Sequence, residues 1–526
     1  MSATDAKTQL QQKRAAFRAR LEEARAEGVW GEFRGRIAAV LSGGGARGAY
    51  EAGVLLAFQD AKLPTHIITA TSVGSINAAS YAAHSDSLVG NAEHLTESWF
   101  DLTPPAVGIE WTRYAWMLAG LIAASAGFGN LISHLLDIRG FRLSLDDPVL
   151  TWVSLGLTGV AVLLLYDRLP YLGYIVRNFF RGTSWKPDRR KAAQSVLANL
   201  VVWGFLLVML RSLEAHALLA DFVRVQPGAA AGLALALAAL VGLRAVLRAP
   251  VSTLLHRLIR LPLRTGLFAN FERGRYLRQR ISNQRLRASP IRVVFTATDL
   301  EAGTARFFSN VPPQVLAADP GVDARFVAEE VVTTDDLVRA VIASTALPIA
   351  YEPLTVEGRA YADGGIVANQ PIRPAIRLGA DVLFLVMMDP PEGRRGEART
   401  FVDVGLRALD ILMLQNLLTD LKILTNVNAA CERAAASLGL RPEEIEMDMG
   451  TRRYRYVKAF TIRPPASLGG TVLDFGGETT GPAILQGYRD ACAQIENFLA
   501  YAPQARFGRA RRLVSFSLGG GSSRSG

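Results

Sequence analysis

Ile37-Ala-Ala-Val-Leu-Ser-Gly-Gly-Gly-Ala-Arg-Gly48 and, after a helical stretch, His66-Ile-Ile-Thr-Ala-Thr-Ser72-Val-Gly-Ser-Ile-Asn77 decide the fold. Each is a short apolar strand that ends in a turn of small residues and opens a helix. Strand and helix alternate again from about Ile291, as in Ile291-Arg-Val-Val-Phe-Thr-Ala-Thr and Val382-Leu-Phe-Leu-Val-Met-Met. Such alternation implies an α/β sandwich whose central sheet is mostly parallel and covered by helices.

The remaining composition limits what else the chain can be. Its 526 residues are 50% hydrophobic and 20% charged. Charged content below the usual ~25% argues against a disordered chain or a coiled-coil rod. A mean hydropathy of +0.19 is high for a soluble enzyme of this length and points to contact with lipid. The net charge of +11 permits nucleic acid or anionic lipid as a partner. Cys431 and Cys492 alone exclude a disulfide framework and a Cys-rich zinc site, so two thiols in a reducing compartment are expected. The charged, helical stretch Met1–Arg36 has no apolar core and does not read as a secretory signal. Residues 504–526 carry Arg506, Arg509, Arg511, Arg512 and Arg524 and read as a basic disordered tail.

Hydrophobicity concentrates between Trp111 and Arg264, in Ala115–Leu136, Val149–Tyr166, Ala193–Leu210 and Gly228–Leu247. Each is near the ~17–25 residues that cross a bilayer as a helix. The first is the weakest, interrupted by Gly120, Gly127, Gly129, Asn130 and His134. Buried helices of a cap domain are the competing reading. The loop after the second stretch holds Arg168, Arg177, Arg181, Lys186, Arg189, Arg190 and Lys191, and Arg248, Arg257, Arg260 and Arg264 follow the fourth. The other loops carry only Arg139 and Arg142, and Arg211 and Arg224. That alternation favours membrane hairpins with both chain ends inside. Lipid is then the expected partner and nucleic acid is not.

Three motifs carry chemistry. Gly43, Gly45 and Gly48 match a dinucleotide turn, but the next strand ends on Ser72 where a nucleotide site wants a carboxylate. The turn still presents successive amides at a helix start, which suits an oxyanion. Ala70-Thr-Ser72-Val-Gly74 fits a nucleophile elbow with Ala70 replacing the first glycine. It equally fits a helix whose N-cap is Ser72. None of His66, His84, His94, His134, His216 and His256 follows residue 256, so the usual order Ser, Asp, His is not available. In Tyr361-Ala-Asp363-Gly364-Gly365, Asp363 is either an exposed acid on a tight turn or simply a turn former.

Together these segments resemble the patatin-like phospholipase family. Ser42-Gly-Gly-Gly-Ala-Arg47-Gly, Thr69-Ala-Thr-Ser72-Val-Gly74 and Ala362-Asp363-Gly-Gly-Ile-Val-Ala-Asn369-Gln-Pro carry the resemblance. Thr296-Ala-Thr-Asp-Leu-Glu-Ala-Gly and Ser344-Thr-Ala-Leu-Pro-Ile-Ala-Tyr-Glu-Pro-Leu look familial as well. The resemblance implies an α/β/α sandwich with a Ser–Asp dyad: Ser72 as nucleophile, Asp363 as general base. It also implies an oxyanion hole of Gly43, Gly44 and Gly45 near Arg47, supporting turns at Gly74, Gly364 and Gly365, and no metal or cofactor. Ala70 departs from the family pattern.

The expected organisation is a charged helical segment (1–36), two parts of the patatin-like domain (37–110 and 266–400), an all-α transmembrane insertion (111–265), a C-terminal extension (401–503) and the tail. The expected activity is cleavage of fatty acyl esters of phospholipid or lysophospholipid. A lipid transacylase with the same dyad and a silent lipid-binding scaffold are the alternatives. The expected location is a bacterial inner membrane with the catalytic domain on the cytoplasmic side. Ile411-Leu-Met-Leu suits packing on its own sheet, while a homo-oligomer built on it stays open.

Overall fold

Both opening strands lie side by side in one sheet of the computed structural model. The structure describes residues 3–102, 111–135, 148–165, 169, 172, 189–211, 270–348, 350–390, 401–448, 453–469, 475, 477–507 and 511–515. It divides into two units: residues 1–108, 270–348 and 353–526 form the first, and residues 109–269 with 349–352 form the second.

The first unit begins with α1 (Ala3–Glu23), α2 (Ala26–Glu32), β1 (Ile37–Leu41), α3 (Ala49–Asp60), β2 (Ile67–Thr71), α4 (Val73–Ala83) and α5 (Glu93–Phe100). The second unit supplies α6 (Trp111–Leu135), α7 (Pro148–Leu165) and α8 (Arg189–Arg211). The first resumes with α9 (Asn270–Arg280), α10 (Asn283–Ala288), β3 (Arg292–Asp299), β4 (Thr304–Ser309), α11 (Pro313–Ala317), α12 (Ala324–Glu330) and β5 (Val331–Val332). Next come α13 (Leu337–Ser344), β6 (Leu354–Val356), β7 (Arg359–Asp363), α14 (Gly365–Ala368), α15 (Ile372–Arg377) and β8 (Val382–Val386). Last are α16 (Phe401–Leu438), β9 (Ile445–Asp448), β10 (Arg453–Arg455), β11 (Lys458–Ile462), α17 (Gly477–Tyr501) and β12 (Arg512–Ser515).

The main sheet runs β11-β8-β1-β2-β3-β4-β5, with β7 on β3 and β6 on β7. Neighbours from β11 to β3 are parallel, as the alternating pattern implies. Every residue of β1, β2 and β8 is buried, as expected for parallel strands covered on both faces. On β8, Leu383 and Leu385 join one core with Val40, Ile67 and Phe307. Phe384, between them, points the other way and meets Phe58 at 5.1 Å and Phe460 at 5.4 Å. Truncating Phe384 to Ala removes a hub of that second core at ~3–5 kcal/mol.

One register matters for function. β4 pairs with β3 from Val294 to Asp299, occupying one edge of that strand. On the other edge β2 pairs up to Thr71↔Thr296, and β7 takes over antiparallel from Asp363↔Ala297. The end of β2 and the end of β7 thus meet at consecutive positions of β3.

The stretch expected as a disordered tail contains β12, which pairs parallel with β9 from Arg512↔Ile445 to Ser515↔Asp448. Leu513-Val-Ser alternates as an edge strand does, and β9 offers it an open edge. Arg511 beside this strand bonds Asp381 at 2.5 Å.

In the second unit, α6 and α7 touch through glycines. A Cβ on Gly127 would lie 2.2 Å from the Gly156 nitrogen, and one on Gly159 would lie 2.1 Å from the Ala124 nitrogen. Leu118, Leu121 and Ile122 of α6 and Leu157 of α7 are exposed, while the Phe128 ring lies against Gly156. On α8, Ser195 and Ala198 are buried while Leu200 and Trp203 are 61% and 57% exposed. Val162, Leu169, Ala198 and Val202 form the small core of this unit, while several Leu, Ile and Trp side chains stay exposed.

Three of the expected membrane spans fall on α6, α7 and α8. Among the described residues, however, no helix is long and apolar enough to cross a membrane. The transmembrane insertion is therefore not supported by these helices. Gly228–Leu247 and most of the Arg-bearing loops lie outside the described residues.

Candidate active site

β2 delivers the chain to Ser72, which turns sharply with φ 53° and ψ −127° before α4 starts at Val73. A non-glycine residue held at positive φ costs on the order of 1–3 kcal/mol and persists only where its surroundings enforce it. Ala70 sits fully buried within β2, so its methyl is accommodated in the strand two residues before Ser72. Gly74 lies against Leu41 and the Ser42 carbonyl.

The shared edge of β3 brings Asp363 to this turn. Ser72 Oγ donates to Asp363 Oδ2 at 2.6 Å, and the Gly365 amide donates to Asp363 Oδ1 at 2.8 Å. The main chain of Asp363 is held too: its N–H reaches the Ala346 carbonyl at 2.9 Å, and Thr298 Oγ1 donates to its C=O at 2.8 Å. Asp363 is 1% exposed. Burial pushes its carboxyl up to about 6, against the opposing pull of the Ser72 hydroxyl, the Gly365 amide and the Arg273 charge. At Gly364 a Cβ would lie 2.2 Å from the Thr296 carbonyl, so the turn that carries Asp363 admits no side chain there.

The glycine turn faces the same place. The Gly43 amide donates to both the backbone and side-chain oxygens of Asn369, at 3.2 and 3.1 Å. The amides of Gly44 and Gly45 have no acceptor among the described residues. Arg47, 8% exposed, bonds Asp389 Oδ1 at 2.5 Å and the Gly44 carbonyl at 3.3 Å. Of the four residues proposed for an oxyanion hole, Gly43 and Arg47 are committed elsewhere. Gly44 and Gly45 keep open donors.

Behind the turn lies Glu51, fully buried, taking a bond from Asn77 Nδ2 at 2.9 Å. Its Oε1 has no partner among the described residues. Burial holds its carboxyl well above the usual range, despite Asn77 and the Ser42 amide.

No histidine joins the site among the described side chains. His66 accepts the Ile37 amide at the start of β2, the opposite end from Ser72. His84 and His94 pair with ring centres 4.6 Å apart beyond the end of α4. The His134 side chain, His216 and His256 lie outside the described residues. Among the described residues, no cluster of three or more His, Cys, Asp or Glu could hold a metal.

A family model of patatin-like phospholipases matches residues 39–196 and 227–376, more than half of the chain. The chain belongs to the patatin-like phospholipase family. Membership supports lipid acyl hydrolysis as its general activity. The match runs through α6 and α7, which the sequence reading sets outside the patatin-like domain. Among solved structures, the crystal structure of VipD from Legionella pneumophila aligns with a TM-score of 0.32 and 13% identity, covering 88% of this chain and 67% of that one. No curated protein matches.

Three residues that support this patatin-like site have no role in the sequence reading. Asn369 binds the glycine turn, Ser344 binds the Ser72 amide at 3.0 Å, and buried Arg273 donates to the Ile342 and Thr345 carbonyls at the end of α13. Asn369 and Ser344 lie inside familial segments, yet nothing local marks them. Their partners are hundreds of residues away in sequence.

Proposed function

We propose that this patatin-like chain is a serine acyl hydrolase of the phospholipase A or lysophospholipase type, acting through Ser72 and Asp363. The observation that carries this reading is the 2.6 Å bond from a serine at a strained elbow to a buried carboxylate. Ser72 Oγ adds to the acyl carbonyl carbon while its proton passes to Asp363 Oδ2. The Gly44 and Gly45 amides hold the negative oxygen, and losing one such donor typically costs ~100–1,000-fold in turnover. Collapse expels the lipid alkoxide, which takes the proton from Asp363. Water then loses a proton to Asp363 and attacks the acyl carbonyl, and the departing Ser72 oxygen takes that proton back as the fatty acid is released.

The test is labelling with a fluorophosphonate probe, together with fatty acid release from labelled phospholipid. Both are expected for the wild type and neither for Ser72→Ala. A folded wild-type chain that does neither overturns the reading.

The second partner in this reading is a lipid surface that receives the outer faces of α6, α7 and α8. Close glycine contacts between helices are how they pack where lipid replaces water, and Leu118, Ile122, Leu200 and Trp203 stay exposed. Arg189-Arg-Lys at the start of α8 and the net charge of +11 suit anionic headgroups. Flotation with phosphatidylglycerol vesicles is expected to carry the wild type and to lose a Leu200→Asp/Trp203→Asp variant. Equal flotation of the two removes this partner.

A further inference from the structure

Ser344 is the last residue of α13 and is fully buried. Its hydroxyl makes three contacts: it accepts the Ser72 amide at 3.0 Å, donates to the Thr296 carbonyl at 2.6 Å and lies 2.8 Å from Ser75 Oγ. A hydroxyl has one proton and two acceptor positions. The Thr296 carbonyl can only accept, so the Ser344 proton goes there. Both acceptor positions then serve the Ser72 turn, one taking its N–H and the other the Ser75 hydroxyl. The Ser344 carbonyl meanwhile accepts the Gly364 amide at 3.3 Å. One residue therefore touches the serine elbow, the first turn of α4, the central strand β3 and the turn that carries Asp363. Arg273 closes the end of the helix on which Ser344 stands, through the Ile342 and Thr345 carbonyls.

We propose that Ser344 is a positioning residue that holds Ser72 in its strained conformation and in register with Asp363. It touches neither substrate nor the reacting hydroxyl, and acts through the Ser72 amide. Without the Ser344 hydroxyl, the Ser72 amide is unpaired and the turn is free to relax toward negative φ. That swings Oγ away from Asp363 Oδ2. Because the Ser72 amide is bound to Ser344, it is also unavailable to an oxyanion, which leaves that task to Gly44 and Gly45. The proposal rests on the Ser72–Asp363 reading above.

The experiment measures kcat, KM, probe labelling rate and the pH dependence of kcat/KM for the wild type, Ser344→Ala and Ser344→Cys. Misplacing a reacting group by about 1 Å can cost ~100-fold, so Ser344→Ala is expected to lose ~10–100-fold in kcat and in labelling rate, with KM within about 2-fold. The Ser72 bond lowers the Asp363 pKa, so weakening it moves the acid limb of the profile to higher pH. A purely structural role would not move that limb. Ser344→Cys keeps the volume and a weaker donor and acceptor, and is expected between the other two. Wild-type labelling with equally fast Ser344→Ala and an unmoved acid limb overturns this proposal alone. If Ser344→Ala does not fold, a folded Ser344→Cys that labels at the wild-type rate overturns it. A wild type that never labels overturns the dyad and this proposal together.

Discussion

Ser72 donates its hydroxyl proton to Asp363, and Asp363 is buried deeply enough that its carboxyl sits near the middle of the titration range, at about 6. In the proposed dyad the Asp363 carboxyl must be ionised to accept that proton. We expect kcat/KM on a soluble ester to fall tenfold per pH unit below about 6 and to level off above it. A stopped assay in mixed buffers checks this. A plateau that continues unchanged down to pH 4 removes Asp363 as the base.

The same burial makes Asp363 a source of instability. Its folded pKa is raised from 3.8 to about 6, so its contribution is fully present below 3.8 and lost as pH rises through about 6. Two units correspond to about 3 kcal/mol. In Asp363→Asn, the amide oxygen can keep the Gly365 bond and the NH2 can face Ser72 Oγ. Activity should fall ~1,000-fold or more, while stability at pH 8 rises by up to about 3 kcal/mol. Denaturant titrations at pH 4 and pH 8 check it, the two proteins converging at the lower pH.

Gly43 and Gly44 should differ when replaced by Ala, although they adjoin. A Cβ at Gly43 would lie 2.4 Å from Asn369 Oδ1 and 2.9 Å from Ser72 Cβ, so the turn and the serine must separate. A Cβ at Gly44 would meet only Met388 Sδ and Cε, at 2.8 and 2.9 Å, the movable end of a flexible side chain. Labelling should drop ~100-fold or more for Gly43→Ala and roughly tenfold for Gly44→Ala. Equal losses would show that sterics at Asn369 do not decide the matter.

Glu51 predicts a pH dependence without a direct role in the reaction. Its carboxyl is held above the usual range by burial, so its stabilising share is present below 4.5 and lost as pH rises. Glu51→Gln removes the titration. The variant should show a flatter stability profile above pH 4.5 than the wild type, by thermal melts in matched buffers. Parallel profiles would mean that burial of the Glu51 carboxyl does not bear on stability.

The residues legible in the sequence are those whose constraint is local. A glycine turn, an elbow of small residues and an Asp-Gly-Gly turn leave their mark within a few positions, and so does the strand and helix alternation. Ser344 and Asn369 act on partners far along the chain, and a serine at a helix end or an asparagine in a turn has no pattern of its own. The glycine turn is readable as an anion cradle, but that Asn369 takes the Gly43 amide is not. Gly120 and Gly127 read as flaws in an apolar helix, whereas in the fold they are the surface on which α7 rests. β12 hides in an arginine-rich end because its partner β9 lies more than sixty residues upstream.

The meeting of β2 and β7 on one edge of β3 has an evolutionary consequence. A slip of β7 by one residue would move Asp363 by ~3.3 Å and turn it to the opposite face of the sheet. The pair is therefore digital: it is either in phase or absent, with no intermediate geometry from which selection could recover it. Lineages should tolerate almost no gain or loss of residues within β3 or β7. Length variation belongs instead in the hairpin between β6 and β7, where Gly358 at φ 81° has open space around it.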